Sequence, residues 1–404
     1  MGIILLFLGA LAVRIPWLWM VPRYIDELKE INLAYQIYLG RVYPLHNMAH
    51  EIGALHNYIL AGIFKLFGPS IYWPRLYVAL TSAATVVLLY YLGWKMDHRW
   101  TGVIAAGLLL TNGMHILVTH MAWANCTTPF FFALALFAIV KAEELRNGYW
   151  LIGAGFLWAL ALQTHSSVII YVLITFFYVL KPAFRRKTGI PLKYCWGGLF
   201  TFSAGYSNMI IYNLLTRGES IRWIFTKDYT LENKPGLYSY CHNLNQMFCE
   251  LIRSISSTYS AYNNIRDYLG QPHFLLAVIF LSAGIYWAIK EKKTLPVLFL
   301  AGGFIVIPWI NRRFGFYIVT RYIMPLIICS LLLMALGLSR TLRKIASRFE
   351  RPRLFRISAA GLFLIVVGMQ IWPFYGYCSR LARTDMSNYL SLKLVEKVGE
   401  FNPG

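Results

Sequence analysis

The sequence predicts an all-α, polytopic integral membrane protein, and three observations support this fold class. Hydrophobic residues (AVILMFWYC) make up 58% of the 404 residues and charged residues only 14%, against roughly 45–50% and about 25% in ordinary globular chains. The apolar residues form blocks of about 20, the length that crosses about 30 Å of hydrocarbon. Short basic runs separate these blocks, and the formal net charge is +21. Such a composition excludes a disordered, collagen-like or small disulfide-stapled protein and argues against a soluble enzyme.

Eleven apolar segments are predicted to cross the membrane, because most of them lack the polar face of a helix on a soluble protein. In chain order they are 2–20, 72–94, 100–118, 124–141, 148–164, 166–181, 194–215, 271–289, 294–310, 317–338 and 357–374. Short polar or small-residue turns split the stretches 100–141 and 148–181, so the number of spans stays open there.

The basic residues predict which ends of the spans face the cytoplasm. If the N-terminus is cytoplasmic, every even-numbered span leads into a loop that carries Lys or Arg, as the positive-inside rule requires. These loops lie at 95–99, 141–146, 181–193, 290–293 and 340–356. The short turns on the other side, near 119–123 and 164–166, contain neither residue. We therefore expect membrane lipids as the surroundings of this basic chain, and no nucleic-acid partner.

We expect one membrane domain over 1–375 and a short extracytoplasmic tail at 376–404. Two long loops, 21–71 and 216–270, interrupt the domain on the extracytoplasmic side, and the second is expected to supply a lid. The tail ends abruptly at Gly404 and the first span opens almost at once, which leaves truncation of the chain open. The compact length and the lack of an endoplasmic-reticulum retention tail favour a prokaryotic plasma (inner) membrane.

The first long loop is predicted to contain two amphipathic helices, about 26–39 and 51–67. A Gly-Arg-Val-Tyr-Pro turn at 40–44 separates them. Helices of this kind lie in the plane of the membrane interface. Tyrosines such as Tyr35 and Tyr38 suit that depth, because amphipathic rings collect at the head groups.

The acidic pair Asp26-Glu27 follows the first span directly and is the first candidate for chemistry. A carboxylate at the membrane edge is expensive unless it is hydrated or paired, so it suggests a functional site by default. The alternative is an interface residue, or the N-cap of the helix 26–39. The sequence alone leaves both interpretations open.

Further polar residues are predicted on the same membrane face as this acidic pair. They are His46, His50, His56, Arg75, His120, Asn125, Gln163, Thr164, His165, Arg312, Arg313 and Arg321. Each one has an ordinary explanation at a span end, where long polar side chains reach the interface. Together, a carboxylate base and several cationic groups suit chemistry on an anionic, lipid-borne substrate. The three histidines of the first loop lie four and six residues apart, which is not a tight metal-ligand spacing, and no metal site is predicted from them.

Several short motifs occur in an order that resembles a known family. They are Arg14 in the first span, Asp26-Glu27, Leu39-Gly40 with Tyr43-Pro44, Leu66-Phe67-Gly68, Arg75-Leu76, Ala159-Leu160-Ala161-Leu162-Gln163-Thr164-His165, and Arg321-Tyr322 with Pro325. Over roughly residues 10–335 this order is similar to that of type C (GT-C) glycosyltransferases, and most similar in pattern to the protein O-mannosyltransferase and aminoarabinose transferase group. Each motif is weak alone, and their common order is the specific signal.

The resemblance implies a GT-C-like membrane fold and an inverting sugar transfer from a polyprenyl-phosphate-linked donor at the extracytoplasmic face. It implies that Asp26 acts as general base on an acceptor hydroxyl, while Glu27 orients Asp26 or a nearby basic residue. The leaving phosphate develops negative charge, which Arg or His donors stabilise. The candidates for that role are Arg321, Arg75 and His165, in this order.

The turn His120-Met121-Ala122-Trp123-Ala124-Asn125 departs from the pattern of many relatives, which carry a second acidic residue there. Trp123 and Asn125 suggest sugar stacking and hydrogen bonding instead, although Asn125 also suits a structural cap. His120, Trp123, Asn125, Tyr322 and His56 are the candidates for contacts with sugar or acceptor. The missing carboxylate argues against a divalent metal without excluding one, and no cofactor is assigned.

The resemblance thus implies a mannosyltransferase-like hexosyl- or pentosyltransferase of cell-envelope glycosylation, with a protein, lipid or glycan as acceptor. The alternative is a membrane transporter or a flippase for lipid-linked sugars, and a third reading is a non-catalytic scaffold. A transporter is expected to place ionisable groups at mid-membrane and often shows repeat symmetry. Mid-span charges are scarce in this sequence and no repeat is evident, which favours the transferase.

Overall fold

The computed structural model describes residues 2–16, 18–19, 25–226, 237–257, 272–310, 320–347 and 361. Over these ranges the regular elements are all helices, and one isolated antiparallel β-bridge pairs His46 with Gly53. The predicted all-α class is confirmed. The predicted eleventh span, 357–374, and the tail 376–404 lie outside the described residues, apart from Gly361.

Seventeen α-helices occur within the described ranges, and short 3-10 turns precede three of them. The helices are α1 Gly2–Arg14, α2 Ile25–Tyr38, α3 Leu55–Phe67, α4 Trp73–Met96, α5 Arg99–Leu110, α6 Gly113–Val118, α7 Thr128–Leu145, α8 Tyr149–Thr164, α9 Ile169–Leu180, α10 Pro182–Thr188, α11 Lys193–Gly205, α12 Ser207–Leu215, α13 Glu219–Thr226, α14 Leu237–Ile255, α15 Pro272–Lys290, α16 Leu295–Ile310 and α17 Met324–Ala346. The 3-10 turns are Ala124–Thr127, Ser166–Val168 and Thr320–Ile323.

Each of the first ten predicted spans overlaps a helix, but α1 ends at Arg14, before the predicted end of the first span, and two other spans are broken. The span predicted at 100–118 divides into α5 and α6, because the Asn112 side chain accepts the His115 N–H at 2.8 Å and starts a new helix. The span predicted at 194–215 divides at Tyr206 into α11 and α12.

Three helices in the described ranges are long and apolar enough to cross a membrane alone: α4, α7 with its preceding 3-10 turn, and α17. A fourth span results if α9 with its preceding turn and α10, bent by 64°, count as one. Five further apolar helices are shorter. The membrane class is therefore supported, while the predicted number of eleven spans is not confirmed.

Close backbone contacts at glycines hold pairs of helices together. A Cβ atom on Gly155 of α8 would lie 1.9 Å from the Gly198 carbonyl oxygen of α11. A Cβ atom on Gly284 of α15 would lie 1.8 Å from the Leu333 oxygen of α17. Small residues allow such approach where lipid supplies no hydrophobic drive between helices. The helix α17 is central, since its residues from Met324 to Gly337 are all buried.

The helices α2 and α3 form a hairpin, as predicted for the first long loop. Ala34 of α2 packs with Leu60 and Phe64 of α3 in a small buried cluster of its own. The second helix begins at Leu55 and not at the predicted 51, because residues before it form a turn closed by the His46–Gly53 bridge. This hairpin carries the acidic residues of the candidate site.

The segment 216–270, expected to be a lid, contains α13 and a well-packed helix, α14. The side chains of Met247, Leu251 and Ile255 on α14 are buried, and α14 contacts α15, α16, α17 and α6. The Asn243 side chain donates to the Pro308 carbonyl at 3.2 Å. Within the described ranges, α14 is thus part of the helical core.

Candidate active site

The first two turns of α2 carry three acidic residues that differ in exposure. Asp26 is exposed, whereas Glu27 and Glu30 are buried. Glu27 and Glu30 lie three residues apart and therefore share one face of the helix, which packs into the protein. Within the described ranges, no hydrogen bond or ion pair engages the Asp26 carboxylate.

Glu27 forms a buried bidentate ion pair with Arg75 at the start of α4. Arg75 Nε donates to Oε1 at 2.7 Å and Nη2 donates to Oε2 at 2.8 Å. Arg75 Nη1 donates to the Leu18 carbonyl at 2.8 Å. Both side chains are fully buried, so the Arg75 guanidinium presents no accessible surface to a ligand in this structure. The pair ties α2 to α4.

Glu30 engages the turn that contains the predicted sugar contacts. Its Oε2 accepts the backbone N–H of Ala124 at 2.9 Å, and its own carbonyl accepts the Asn57 side chain at 3.0 Å. Trp123 and Asn125, on either side of Ala124, are 4% and 8% exposed. The turn is therefore bound to the α2–α3 hairpin.

Two histidines of the site are buried and neutral. His56 Nε2 donates to the Ala122 carbonyl at 3.3 Å and lies 3.8 Å from a Glu30 oxygen. His120 Nε2 donates to the Arg14 carbonyl at 2.7 Å. Burial lowers the pKa of each imidazole to about 4, because desolvation disfavours the charged form. At neutral pH both can offer hydrogen bonds and neither contributes a positive charge.

His165 and Tyr322, two predicted site residues that lie far apart in the sequence, are in contact. Their rings stack with centroids 5.1 Å apart and planes at 28°. His165 ends α8, where its Nδ1 lies 2.7 Å from the Ser167 hydroxyl, and both rings are half-buried. Tyr322 lies in the 3-10 turn Thr320–Ile323, which packs on the 3-10 turn Ala124–Thr127, on α6 and on α14.

Arg321 lies in the same 3-10 turn as Tyr322. Its side chain lies outside the described residues, as do Arg312 and Arg313. The position of its backbone brings the late Arg-Tyr motif next to the turn that carries Asn125. The two motifs are separated by nearly 200 residues, and the fold joins them.

Arg14 is a buried residue that the sequence analysis named in a family motif but to which it assigned no role. Its guanidinium donates to the Ala10 carbonyl at 2.9 Å and lies 3.1 Å from His115 Nδ1. Its Nε also donates to the Ser82 hydroxyl. Arg14 therefore joins α1, α4 and α6 under the site, and its carbonyl holds His120.

The histidines His46 and His50 form a separate cluster with Tyr212 and Glu219. His50 Nδ1 lies 2.6 Å from the Tyr212 hydroxyl, which donates to Glu219 Oε2 at 2.7 Å. The ring of His46 lies against that of Tyr212 with centroids 4.4 Å apart and planes tilted by 48°. No group of three His, Cys, Asp or Glu side chains with the geometry of a metal site occurs in the part of the chain that the structure describes.

Glu30 is the residue of this site that sequence reasoning missed. The available signal was its spacing, because position 30 follows Asp26 by four residues and Glu27 by three on one helix. Its partner is a backbone N–H, which leaves no trace in the sequence. The contact between Glu30 and Ala124 could therefore not be predicted from the residue types.

Comparison with known proteins connects this arrangement to a family. Residues 53–211 match the family model for dolichyl-phosphate-mannose-protein mannosyltransferases. No curated protein matches the chain in sequence.

Several solved structures share the fold, among them those of ArnT and AglB. The crystal structure of ArnT from Cupriavidus metallidurans bound to undecaprenyl phosphate matches with a TM-score of 0.64 and 15% identity, over 94% of this chain and 77% of ArnT. The oligosaccharyltransferase AglB from Archaeoglobus fulgidus, in complex with an inhibitory peptide and a dolichol-phosphate, matches with a TM-score of 0.57 and 12% identity. That match covers 94% of this chain and 55% of AglB, so the chain spans about half the length of that protein. The chain therefore shares the membrane fold of ArnT and AglB, and its resemblance to the type C glycosyltransferases of the mannosyltransferase and aminoarabinose transferase group is confirmed.

Proposed function

We propose that this protein is a glycosyltransferase that moves a sugar from a polyprenyl-phosphate-linked donor to an acceptor hydroxyl. The family matched by residues 53–211 is named for a dolichyl-phosphate-linked donor. The two structures with the same fold hold undecaprenyl phosphate and dolichol-phosphate, respectively. The acceptor class, whether protein, lipid or glycan, and the choice between hexose and pentose remain part of what the experiment below determines.

The observation that carries this proposal is the exposed carboxylate of Asp26, which no group in the described part of the chain engages. A general base needs a carboxylate that can reach the substrate, and carboxylates are ionised at neutral pH. Glu27, its neighbour, is held by Arg75 and cannot take that role without breaking a buried ion pair. Asp26 would accept the acceptor's proton as the oxygen attacks the sugar C1 with inversion, and the polyprenyl phosphate would leave.

The leaving phosphate is assigned to the side of the site formed by His165 and the turn Thr320–Ile323. Phosphate oxygens gain charge as the bond to C1 breaks, and Arg or His donors stabilise that charge. Arg321 and His165 fit this role because His165 stacks on Tyr322, the next residue after Arg321. Arg75, whose guanidinium is engaged by Glu27, is assigned to holding α2 instead.

The sugar is assigned to the region between Asp26 and the turn at 120–125. Tyr322 is half-buried and offers an aromatic face of the kind that packs against sugars. Asn125 and Trp123 form the adjoining turn, and His56 and His120 hold that turn as neutral donors. In this proposal Tyr322, Asn125 and Trp123 contact the sugar, whereas His56 and His120 support the turn.

The extracytoplasmic face is the proposed side of the reaction. The positive-inside pattern of the loops supports it, since the turns at 119–123 and 164–166 carry no Lys or Arg. The proposed membrane is the plasma membrane of a prokaryote.

Transfer from a panel of polyprenyl-phosphate sugars, measured with purified protein in lipid nanodiscs, tests the function. Asp26→Asn is expected to lower kcat by about 10²- to 10⁴-fold, the usual range for a removed general base. Glu143→Gln, at a carboxylate that pairs with Lys187 on another part of the surface, is the matched control and should keep full activity. Arg321→Ala and a chelator run in parallel assays, and the donor that is consumed identifies the sugar.

Undiminished turnover by a folded Asp26→Asn variant would remove Asp26 as the base. An absence of transfer from every donor by the folded wild-type protein, with diverse acceptors, would reject the glycosyltransferase.

A further inference from the structure

Glu30 and His56 hold the backbone on both sides of Trp123. Glu30 Oε2 accepts the Ala124 N–H at 2.9 Å, and His56 Nε2 donates to the Ala122 carbonyl at 3.3 Å. The two side chains also approach each other, with His56 Nε2 3.8 Å from Glu30 Oε2. The backbone of this turn is therefore held at two points by the α2–α3 hairpin.

The bond from Glu30 replaces a cap that the local sequence does not provide. Ala124 is the first residue of the 3-10 turn Ala124–Thr127, which leads into α7, and the preceding residue, Trp123, makes no side-chain cap. The first N–H groups of a helix need an acceptor, and a negative charge is favoured there. Glu30 supplies both from a different helix.

The position of Glu30 gives this cap a geometric consequence. Asp26 and Glu30 lie four residues apart on α2, so their side chains are neighbours on consecutive turns, Asp26 exposed and Glu30 buried. The helix that presents the proposed base therefore also holds the turn that carries Trp123 and Asn125. Glu27 and Arg75 already secure α2 to α4, so Glu30 is not required merely to attach α2 to the bundle.

We propose that Glu30 is a positioning residue, which fixes the sugar-contacting turn at 120–125 relative to Asp26. This inference rests on the proposed glycosyl transfer and deepens it. In this role Glu30 supports binding of the donor's sugar indirectly, by holding the backbone N–H of Ala124. Glu30 itself touches neither the substrate nor the reacting atoms.

Steady-state kinetics of Glu30→Ala and Glu30→Gln test the assignment. A hydrogen bond to a charged acceptor is worth about 10- to 100-fold in an equilibrium. We expect Glu30→Ala to raise the KM for the lipid-linked donor about 10-fold or more and to leave kcat within about threefold, since Asp26 is intact. Glu30→Gln should remain near the wild-type values, because the amide oxygen still accepts the Ala124 N–H. Glu143→Ala serves as the control for loss of a glutamate elsewhere.

Ala124→Pro removes the same hydrogen bond from the other side. Trp123 has φ −106° and ψ 152°, a conformation that suits a residue before proline, and a first helical position tolerates proline. Ala124→Pro should raise the donor KM as Glu30→Ala does. In the double variant, Ala124→Pro should add nothing to the effect of Glu30→Ala, because the bond between Glu30 and the Ala124 N–H is already lost. Additive effects would overturn the assignment, and Ala124→Pro also decides the matter if Glu30→Ala does not fold.

Hydrogen exchange separates this inference from the proposed function. In Glu30→Ala the amides of 120–127 should exchange at least 10-fold faster than in the wild type, with or without substrate, while those of Glu30→Gln stay protected. A wild-type protein without transferase activity would reject the proposed function, and exchange would still show whether Glu30 holds the turn. Unchanged exchange, or a loss of kcat at constant KM, would overturn the role of Glu30.

Discussion

The ion pair of Glu27 with Arg75 is the most buried charged contact of the candidate site. Both side chains have no exposed surface, and the two share a pair of hydrogen bonds of 2.7 and 2.8 Å. Removing one partner of such a pair leaves an uncompensated buried charge, which costs about 3–5 kcal/mol. Replacing both partners by apolar residues of similar volume is often close to neutral.

We therefore expect Arg75→Met to destabilise the protein strongly and the double change Arg75→Met with Glu27→Leu to recover most of that loss. Thermal unfolding in detergent measures both. Should the double variant unfold at the same temperature as Arg75→Met, the charged pair would be contributing more than its mutual neutralisation.

The buried neutral His56 predicts a specific loss of stability in acid. Burial lowers the pKa of the imidazole from 6.5 to about 4, so between these values the unfolded chain binds the proton and the folded chain does not. Stability is then complete above about pH 6.5 and falls as the pH drops toward 4, by up to about 3 kcal/mol. Thermal unfolding between pH 7.5 and 4.5 should show a flatter pH dependence in His56→Gln than in the wild type. A slope in His56→Gln equal to that of the wild type would refute this account.

Sequence analysis named the individual residues of the candidate site but not most of their partners. The Asp26-Glu27 pair, His165 and the Arg321-Tyr322 motif were all predicted, and the fold brings His165 onto Tyr322. The resemblance implied that Glu27 orients Asp26 or a nearby basic residue, but the identity of that residue, Arg75, could not be predicted, because it depends on how α2 lies against α4. The same holds for the backbone partners of Glu30, His56 and His120.

At the scale of helices, α8 and α11 pack so closely that the contact depends on single glycines. A Cβ on Gly155 would lie 1.9 Å from the Gly198 oxygen, whereas a Cβ on Gly153, in the same helix, would meet nothing within 4 Å. Gly155→Ala should therefore force the helices apart and cost about 1–3 kcal/mol, as overpacking does.

Gly153→Ala is the matched control and should be neutral or slightly stabilising, because alanine favours helix more than glycine does. Thermal unfolding of the two variants checks this difference. Equal unfolding temperatures would mean that α8 and α11 can separate without loss.

Helix positions were predictable from apolar blocks, and helix breaks were not. Ten predicted spans overlap helices, because burial in lipid requires apolar stretches of a definite length. The break between α5 and α6 falls inside an apolar block, where only the capping side chain of Asn112 marks it. The packed helix α14 was also missed, since its polar residues made the segment read as an outer loop.

For the molecule as a whole, a cluster of charges joins three distant parts of the chain at the far end of α4. Asp97, with a side chain 3% exposed, pairs with Arg340 at 2.5 Å and with Arg343. Arg340 also pairs with Glu291 at 2.5 Å, and Thr101 donates to Asp97 at 2.9 Å. The corner between α4 and α5, the loop after α15 and the end of α17 are thereby connected.

Asp97→Ala should lower the free energy of unfolding by about 1–3 kcal/mol, because it removes a buried acceptor that binds the Thr101 hydroxyl and two half-exposed guanidinium groups. Glu143→Gln breaks a more exposed pair with Lys187 and should cost less than about 1 kcal/mol. Denaturant titration of the two variants in detergent compares them. A similar small loss in both would mean that the cluster around Asp97 is as dispensable as a surface pair.

The packing of α14 has a consequence for how the chain is made. Its buried residues Met247, Leu251 and Ile255 rest among helices that include α16 and α17, and both of these follow α14 in the sequence. A ribosome delivers α14 to the membrane before those partners have been synthesised. The apolar face of α14 therefore remains unpacked, exposed or bound by a chaperone, until α17 has been translated. Assembly of this core is a late event in biogenesis.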